Sequence, residues 1–178
     1  MKAIKVLEDI DACPPAVEWV KNRTVKKAWS ECERGDWMLH LCAAKNLDLR
    51  KLTRAKVECA KLVEHLMTDA RSIAALRVAE KFSAGLATKE DLDAAYAAAS
   101  AYAYGAAAAD VAAYAAAYAD VASAAYVAYV ADVAAAVAAA AAAAAADFAD
   151  GAADARKETL KKCADIVRKY VSLKDLGL

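Results

Sequence analysis

The chain has 178 residues, 61% of them hydrophobic, and carries 24 basic and 24 acidic side chains, so its formal net charge is zero. That length suits one domain with its own core, and zero net charge removes any global electrostatic pull toward nucleic acid or an anionic membrane surface. Much of the hydrophobic share is alanine, which buries little area per residue, so the core has to come from the larger side chains between the alanines.

Residues 1–12 mix Lys2, Lys5, Glu8, Asp9 and Asp11 with apolar side chains, which is not the pattern of a signal peptide. Period-two runs of β-branched residues are missing throughout, so the sequence predicts an all-α protein. Pro14 and Pro15 suit the first turn of a helix running through Trp19 to about Asn22, because proline costs little there. A second helix is expected over 24–33. Arg34-Gly35-Asp36-Trp37 then reads as a stop and an immediate restart, with Gly35 as a left-handed C-cap and Asp36 as the next N-cap. The helix that follows carries Trp37, Met38, Leu41 and Cys42.

Leu52, Ala55, Cys59, Leu62, Val63 and Leu66 recur at three-and-four spacing, which predicts an amphipathic, core-facing helix over 48–67. Ile73, Leu76, Ala79 and Phe82 define another, closed by Gly85. Thr88 followed by Asp91 forms a capping box that opens the alanine-rich region. From there to about Phe148 only Gly105 interrupts the helical pattern. An unbroken helix of that span would be on the order of 80–90 Å long, which calls for a break, a fold-back or a partner. A last helix over 153–171 buries Leu160, Cys163, Ala164, Val167, Tyr170 and Val171 and presents a basic opposite face.

The expected architecture is therefore a helical bundle with a long alanine-rich helix or helical hairpin. It forms one domain, with N-terminal helices over 1–87, an alanine and tyrosine arm over 88–150 and a basic C-terminal helix over 151–178. The longest apolar stretch, 133–146, is too short to cross a bilayer and is fenced by Asp132 and Asp147, so no membrane span is expected. Along the arm, Tyr96, Tyr114, Tyr118 and Tyr129 fall within about 60° of one another on a helix. Such a stripe serves packing within the chain, a homo-oligomer seam or a stacking surface; a homo-oligomer with the arm in its interface is the expectation. Between Ala94 and Ala155 there are six acids and no base, whereas from Arg156 onward seven bases face three acids.

Five scattered cysteines, Cys13, Cys32, Cys42, Cys59 and Cys163, read as reduced thiols of a cytoplasmic protein. His40 and His65 lie in no metal-binding pattern, and His40 and Cys42, two residues apart, cannot share a helix face. No nucleophile elbow or phosphate-cradling glycine loop is present. Glu31 with Glu33 and Asp91 with Asp93 look like solvated helix ends. No catalytic residue, metal or cofactor is therefore expected, and binding is favoured over catalysis. The cluster Trp29, Arg34, Asp36 and Trp37 combines aromatic rings with a cation around a tight turn. It suits a nucleotide-like ligand or a protein hot spot, against the alternative of a core tryptophan, a cap and a surface arginine. Arg168 and Lys169 are added as phosphate contacts.

The string Glu33-Arg34-Gly35-Asp36-Trp37-Met38-Leu39, the tyrosine and alanine repeats, and Lys161-Lys162-Cys163-Ala164-Asp165-Ile166-Val167-Arg168-Lys169 resemble a family of small phage and bacterial proteins labelled as immunity proteins. The resemblance runs from about Trp19 to Tyr170. It implies an all-helical protein that neutralises a toxin or a defence component, acting in the host cytosol if phage-encoded, with no active-site residues to carry over. Family members often have histidines in the alanine-rich helices, where this chain has tyrosine, valine or alanine. The leading expectation is a non-enzymatic counter-defence or immunity protein that sequesters a nucleotide-derived immune signal. An inhibitor that binds a toxin or defence effector directly, and a structural homo-oligomeric phage protein, are the alternatives.

Overall fold

The computed structural model describes residues 1–10, 12–67, 70–103 and 149–178. Among these residues it is all-helical, with eight α-helices, two 3-10 turns and no strand. In chain order they are α1 (Ala3–Glu8), α2 (Pro14–Val20), α3 (Val25–Glu31), α4 (Gly35–Ala44), α5 (Leu49–Lys61), α6 (Ala70–Ser83), α7 (Lys89–Ala103) and α8 (Ala149–Tyr170). The 3-10 turns are Glu64–Leu66 and Leu173–Leu176.

The middle of the bundle is α5, and its sequence says why. Asp48 starts the helix by accepting the Lys51 amide at 3.1 Å, which satisfies one of the donors that a helix start leaves open. Its apolar stripe then seals Leu52, Ala55, Cys59 and, just beyond the helix, Val63 in the core. α6 packs on α5, α7 on α6, and α8 returns across both α4 and α5. They contribute Leu76 and Ala79 from α6, Leu92 from α7, and Cys163, Ala164 and Val167 from α8, all 0–1% exposed. Full burial of a side chain like Leu76 contributes roughly 1.5–3 kcal/mol. α5 also buries Lys56, whose amine is lowered to about 7 by desolvation, because burial penalises the charged form.

Local signals mostly hold. Thr24 caps α3 by accepting the Lys27 amide at 3.3 Å, and the two prolines open α2. Gly85, at φ +79°, ends α6 in a Schellman arrangement, with Leu86 donating to the Lys81 carbonyl at 2.8 Å and Gly85 to that of Phe82 at 3.0 Å. Thr88 and Asp91 exchange backbone-to-side-chain bonds at 2.8 and 3.2 Å, completing the capping box.

The turn at Gly35 is a correction. Gly35 is the first residue of α4, not a left-handed cap, and Arg34, not Asp36, occupies the N-cap position. The reason is packing: a Cβ on Gly35 would lie 2.3 Å from Cys163 Cβ and 2.8 Å from the Ala164 amide nitrogen. Glycine lets the start of α4 sit directly on α8. The last helix also begins earlier than expected, at Ala149. Of the arm, α7 is described to Ala103, and its continuation toward Phe148 lies outside the described residues.

The N-terminal helices are built differently. Ala3, Val6, Ala16 and Val20 are buried yet do not join the continuous core that runs through α4 to α8. α1 and α2 pack on each other, and a short clasp ties the chain start to the α2–α3 turn: Ala3 donates to the Arg23 carbonyl at 3.0 Å and Val25 to that of Met1 at 3.2 Å. Between this cap and α4 the structure leaves a cavity.

Candidate functional site

The cavity has a volume of about 500 Å³, within the ordinary range for a small-molecule site. Its walls come from α1, α2, α3, α4 and the C-terminal turn, and they are mainly apolar: Val6, Ala16, Val20, Ala28, Leu41 and Leu173 are among them. The chain has three tryptophans, and all three, Trp19, Trp29 and Trp37, line this one space. Trp19 and Trp37 meet edge to face, with ring centroids 6.2 Å apart at 60°, an arrangement favoured by the ring quadrupoles.

Arg34 sits over the face of Trp37, its guanidinium carbon 4.5 Å from the ring centroid. Its Nε and Nη2 donate to the two carboxylate oxygens of Asp36 at 2.8 and 2.5 Å. Asp36 is buried, whereas the Arg34 side chain keeps 41% exposure. This fork fixes the guanidinium beside the Trp37 ring and largely neutralises its charge. Arg23 lies 4.2 Å over the Trp19 ring and also donates to the Trp19 carbonyl. His40, from α4, has its Nε2 3.3 Å from the Ile10 carbonyl. A carbonyl only accepts, so this nitrogen carries the proton.

A second hollow of about 380 Å³ adjoins the first. The two share Trp19, Cys32, Arg34 and Trp37, and the second adds Glu31, Glu33, Arg156, Lys157 and Leu160. The apolar chamber thus has a charged neighbour behind the same aromatic wall. Glu33 is paired with Lys161 at 2.8 Å, and the hydrogen bond to that lysine keeps its carboxyl below the usual range. Glu31 faces Arg23 at 3.4 Å and Lys27 at 3.9 Å.

Cys13 lines the chamber as an exposed thiol, and the other cysteines are buried. Burial, the largest cause, pushes the Cys32 thiol up, and its Sγ donates to the Arg34 carbonyl at 3.5 Å. Deeper in the core, burial pushes Cys42 up to about 12, and Cys59 is raised by its hydrogen bond with Cys163 and by burial. A thiol held protonated is a poor nucleophile and a poor metal ligand. Among the described residues, no three His, Cys, Asp or Glu side chains stand close enough to hold a metal ion. Nor is any described helix long and apolar enough to cross a membrane.

No family model, curated protein or solved structure matches the chain.

Of the residues singled out from the sequence, Trp29, Arg34, Asp36 and Trp37 come together on the chamber wall. Arg168 and Lys169 do not. Arg168 lies behind the wall, where its Nη1 donates to the carbonyls of Trp29 at 3.0 Å and Cys32 at 2.7 Å, and its Nη2 to Asp165 at 2.7 Å. It pins the end of α3 to α8 and so shapes the site from outside. Lys169 lies over the ring of Tyr170, its Nζ 5.2 Å from the centroid. Tyr96 is half-buried against the core of its own chain, and Tyr114, Tyr118 and Tyr129 lie outside the described residues. Trp19, His40, Arg156 and Lys157 were not singled out as site residues. The rarity of tryptophan was the available signal for Trp19. Nothing in local spacing connects Arg156 to Trp37, 119 positions apart in the sequence.

Proposed function

We propose that this protein is a non-enzymatic binding protein that sequesters a small, planar, anionic ligand of nucleotide type. The observation that carries this reading is the gathering of every tryptophan in the chain, with an arginine stacked on one of them, around one apolar chamber beside a charged hollow. Stacking of a base on an aromatic ring contributes about 1–3 kcal/mol, and a mostly apolar cavity with a few convergent polar groups is the usual form of a ligand site. Holding without conversion is supported by the Cys32 thiol on the shared wall, which burial keeps protonated. The resemblance to immunity proteins implies neutralisation of a toxin or a defence component, and with a nucleotide-type chamber that role becomes capture of a nucleotide-derived immune signal.

The test uses the tryptophans themselves, since all of their fluorescence originates on the chamber wall. A nucleotide panel titrated against the full chain is expected to quench that emission saturably, and native mass spectrometry should find one intact ligand per chain. Trp37→Ala with Arg34→Ala should weaken binding at least about tenfold while the helical circular dichroism is retained. Unchanged affinity in that double variant would remove the chamber from the reading, and sustained turnover of a bound nucleotide would end it.

A further inference from the structure

We infer that the cap of α1, α2 and α3 is a lid that opens as one unit about the Cys32–Arg34 link, and that a ligand in the chamber holds it shut. The opening follows from the fold alone; the ligand's part in it rests on the reading of the chamber given above.

The three helices have six, seven and seven residues, well below the roughly 12–15 at which an isolated helix becomes marginally stable in water. Each therefore depends on its neighbours, and the cap is tied together internally. α1 packs on α2, the clasp to the Arg23 and Met1 carbonyls joins the chain start to the α2–α3 turn, and Arg23 reaches Glu31 at the end of α3. No side chain of α3 is fully buried, and Ala3, Val6, Ala16 and Val20 stand outside the continuous core. Elements linked in this way gain and lose structure together.

The cap meets the body of the molecule at its edges. Among the described residues, the hydrogen bonds that join the two are His40 Nε2 to the Ile10 carbonyl and Arg168 Nη1 to the carbonyls of Trp29 and, at the link, Cys32. Trp19 adds its edge-to-face contact with Trp37, and the chamber takes up space between these ties. Arg168 is thus the pin of the hinge, holding the end of α3 on α8. The chamber walls are divided accordingly: Val6, Ala16 and Val20 come from the cap, and Trp37, Leu41 and Leu173 from the body. A ligand that touches both sets of walls makes contacts that the open form lacks, so it shifts the equilibrium toward the closed form.

The test is labelling of the full chain with N-ethylmaleimide, read cysteine by cysteine by peptide mass spectrometry across a urea series. Cys13 is exposed, Cys32 lines the chamber at 7% exposure, and Cys42, Cys59 and Cys163 have none. Cys32 should label at least about tenfold faster than the last three, because sub-global opening precedes global unfolding. Its rate should rise with urea, but less steeply than theirs, since opening the cap exposes less surface. Arg168→Ala should speed Cys32 at least about tenfold. Val57→Ala, a change inside the sealed core that the open form retains, should speed Cys42, Cys59 and Cys163 and leave Cys32 unchanged. One rate for all four buried thiols, or a Cys32 that follows Val57→Ala, overturns the lid. So does a Cys32 rate indifferent to both urea and Arg168→Ala, which would mean labelling through the mouth of a fixed chamber. Adenosine, guanosine, cytidine and uridine monophosphates are then added in turn. One that quenches the tryptophans should, at ten times its dissociation constant, slow Cys32 by about tenfold. Quenching without slowing overturns the ligand's hold on the lid, and absence of quenching by all four ends the nucleotide reading while the lid, measured without ligand, stands.

Discussion

The two halves of the described molecule use the same element and reach opposite results. From α4 to α8, helices bury continuous stripes against one another until Leu39, Cys42, Val57, Leu76 and Val167 have no exposed surface. In the cap made by α1 to α3, Val6 and Val20 are shielded from solvent at 5% exposure but face a cavity. Shielding from water is therefore not the same as close packing. Atoms that border a void lack dispersion partners on one side, and that missing stabilisation is what leaves room for a ligand.

Substitutions that alter the same chemistry in each half separate the two. The largest effect is expected for Gly35→Ala, which drives a Cβ into the backbone of α8 at the seam that supports the cap. Overpacking against backbone should cost on the order of 3 kcal/mol, read as a lowered midpoint in urea unfolding. Valine truncation comes next. Val57→Ala in the sealed core should cost about 2–3 kcal/mol, and Val20→Ala at the cavity about half as much, because the space beside Val20 is already empty. Equal costs would mean that the cavity closes in solution.

Arg168→Ala removes the bonds to the Trp29 and Cys32 carbonyls, with an expected loss of about 2 kcal/mol. The loss should be local: amide exchange should rise over α3 while α5 stays protected. Leucine insertion should produce opposite signs. Ala60→Leu in the core is expected to destabilise by about 1–3 kcal/mol. Ala16→Leu, which fills the chamber, should be neutral or stabilising by roughly 1 kcal/mol while abolishing ligand quenching.

The smallest effect is electrostatic. Glu80 accepts a hydrogen bond from Lys61 that ties α6 to α5 and lowers the Glu80 carboxyl from its usual 4.5. A carboxyl depressed in the fold stabilises above its unfolded value, and that contribution disappears as pH falls from about 4.5 through the folded value. Being close to the surface, the pair is worth no more than about 1 kcal/mol. Glu80→Gln should flatten the acid side of the stability profile by that amount and leave the chamber's affinity at pH 7 unaltered.

Much of the helical framework was legible because its signals are local. The three-and-four spacing of Leu52, Ala55 and Cys59, the proline pair at the start of α2, the glycine after Phe82 and the Thr88 box each act within one or two turns. Gly35 misled for the same reason. Its local reading as a cap was reasonable, but the contact that requires glycine is with Cys163, 128 positions later. Arg168 misled similarly: a basic residue on a basic face reads as a phosphate contact until the ends of α3 and α4 come within reach of its donors.

By itself, then, the sequence determined the all-helical class, where several helices start, and that Trp29, Arg34, Asp36 and Trp37 lie close together, because periodicity, capping and turn proximity operate over a few residues. Only the tertiary structure decided that Trp19 completes the aromatic wall, that Arg156 and Lys157 rather than Arg168 and Lys169 border it, and that the cap stands off from α4 far enough to leave a chamber. Those outcomes depend on how helices distant in the chain approach each other, which is set by the fit of whole faces.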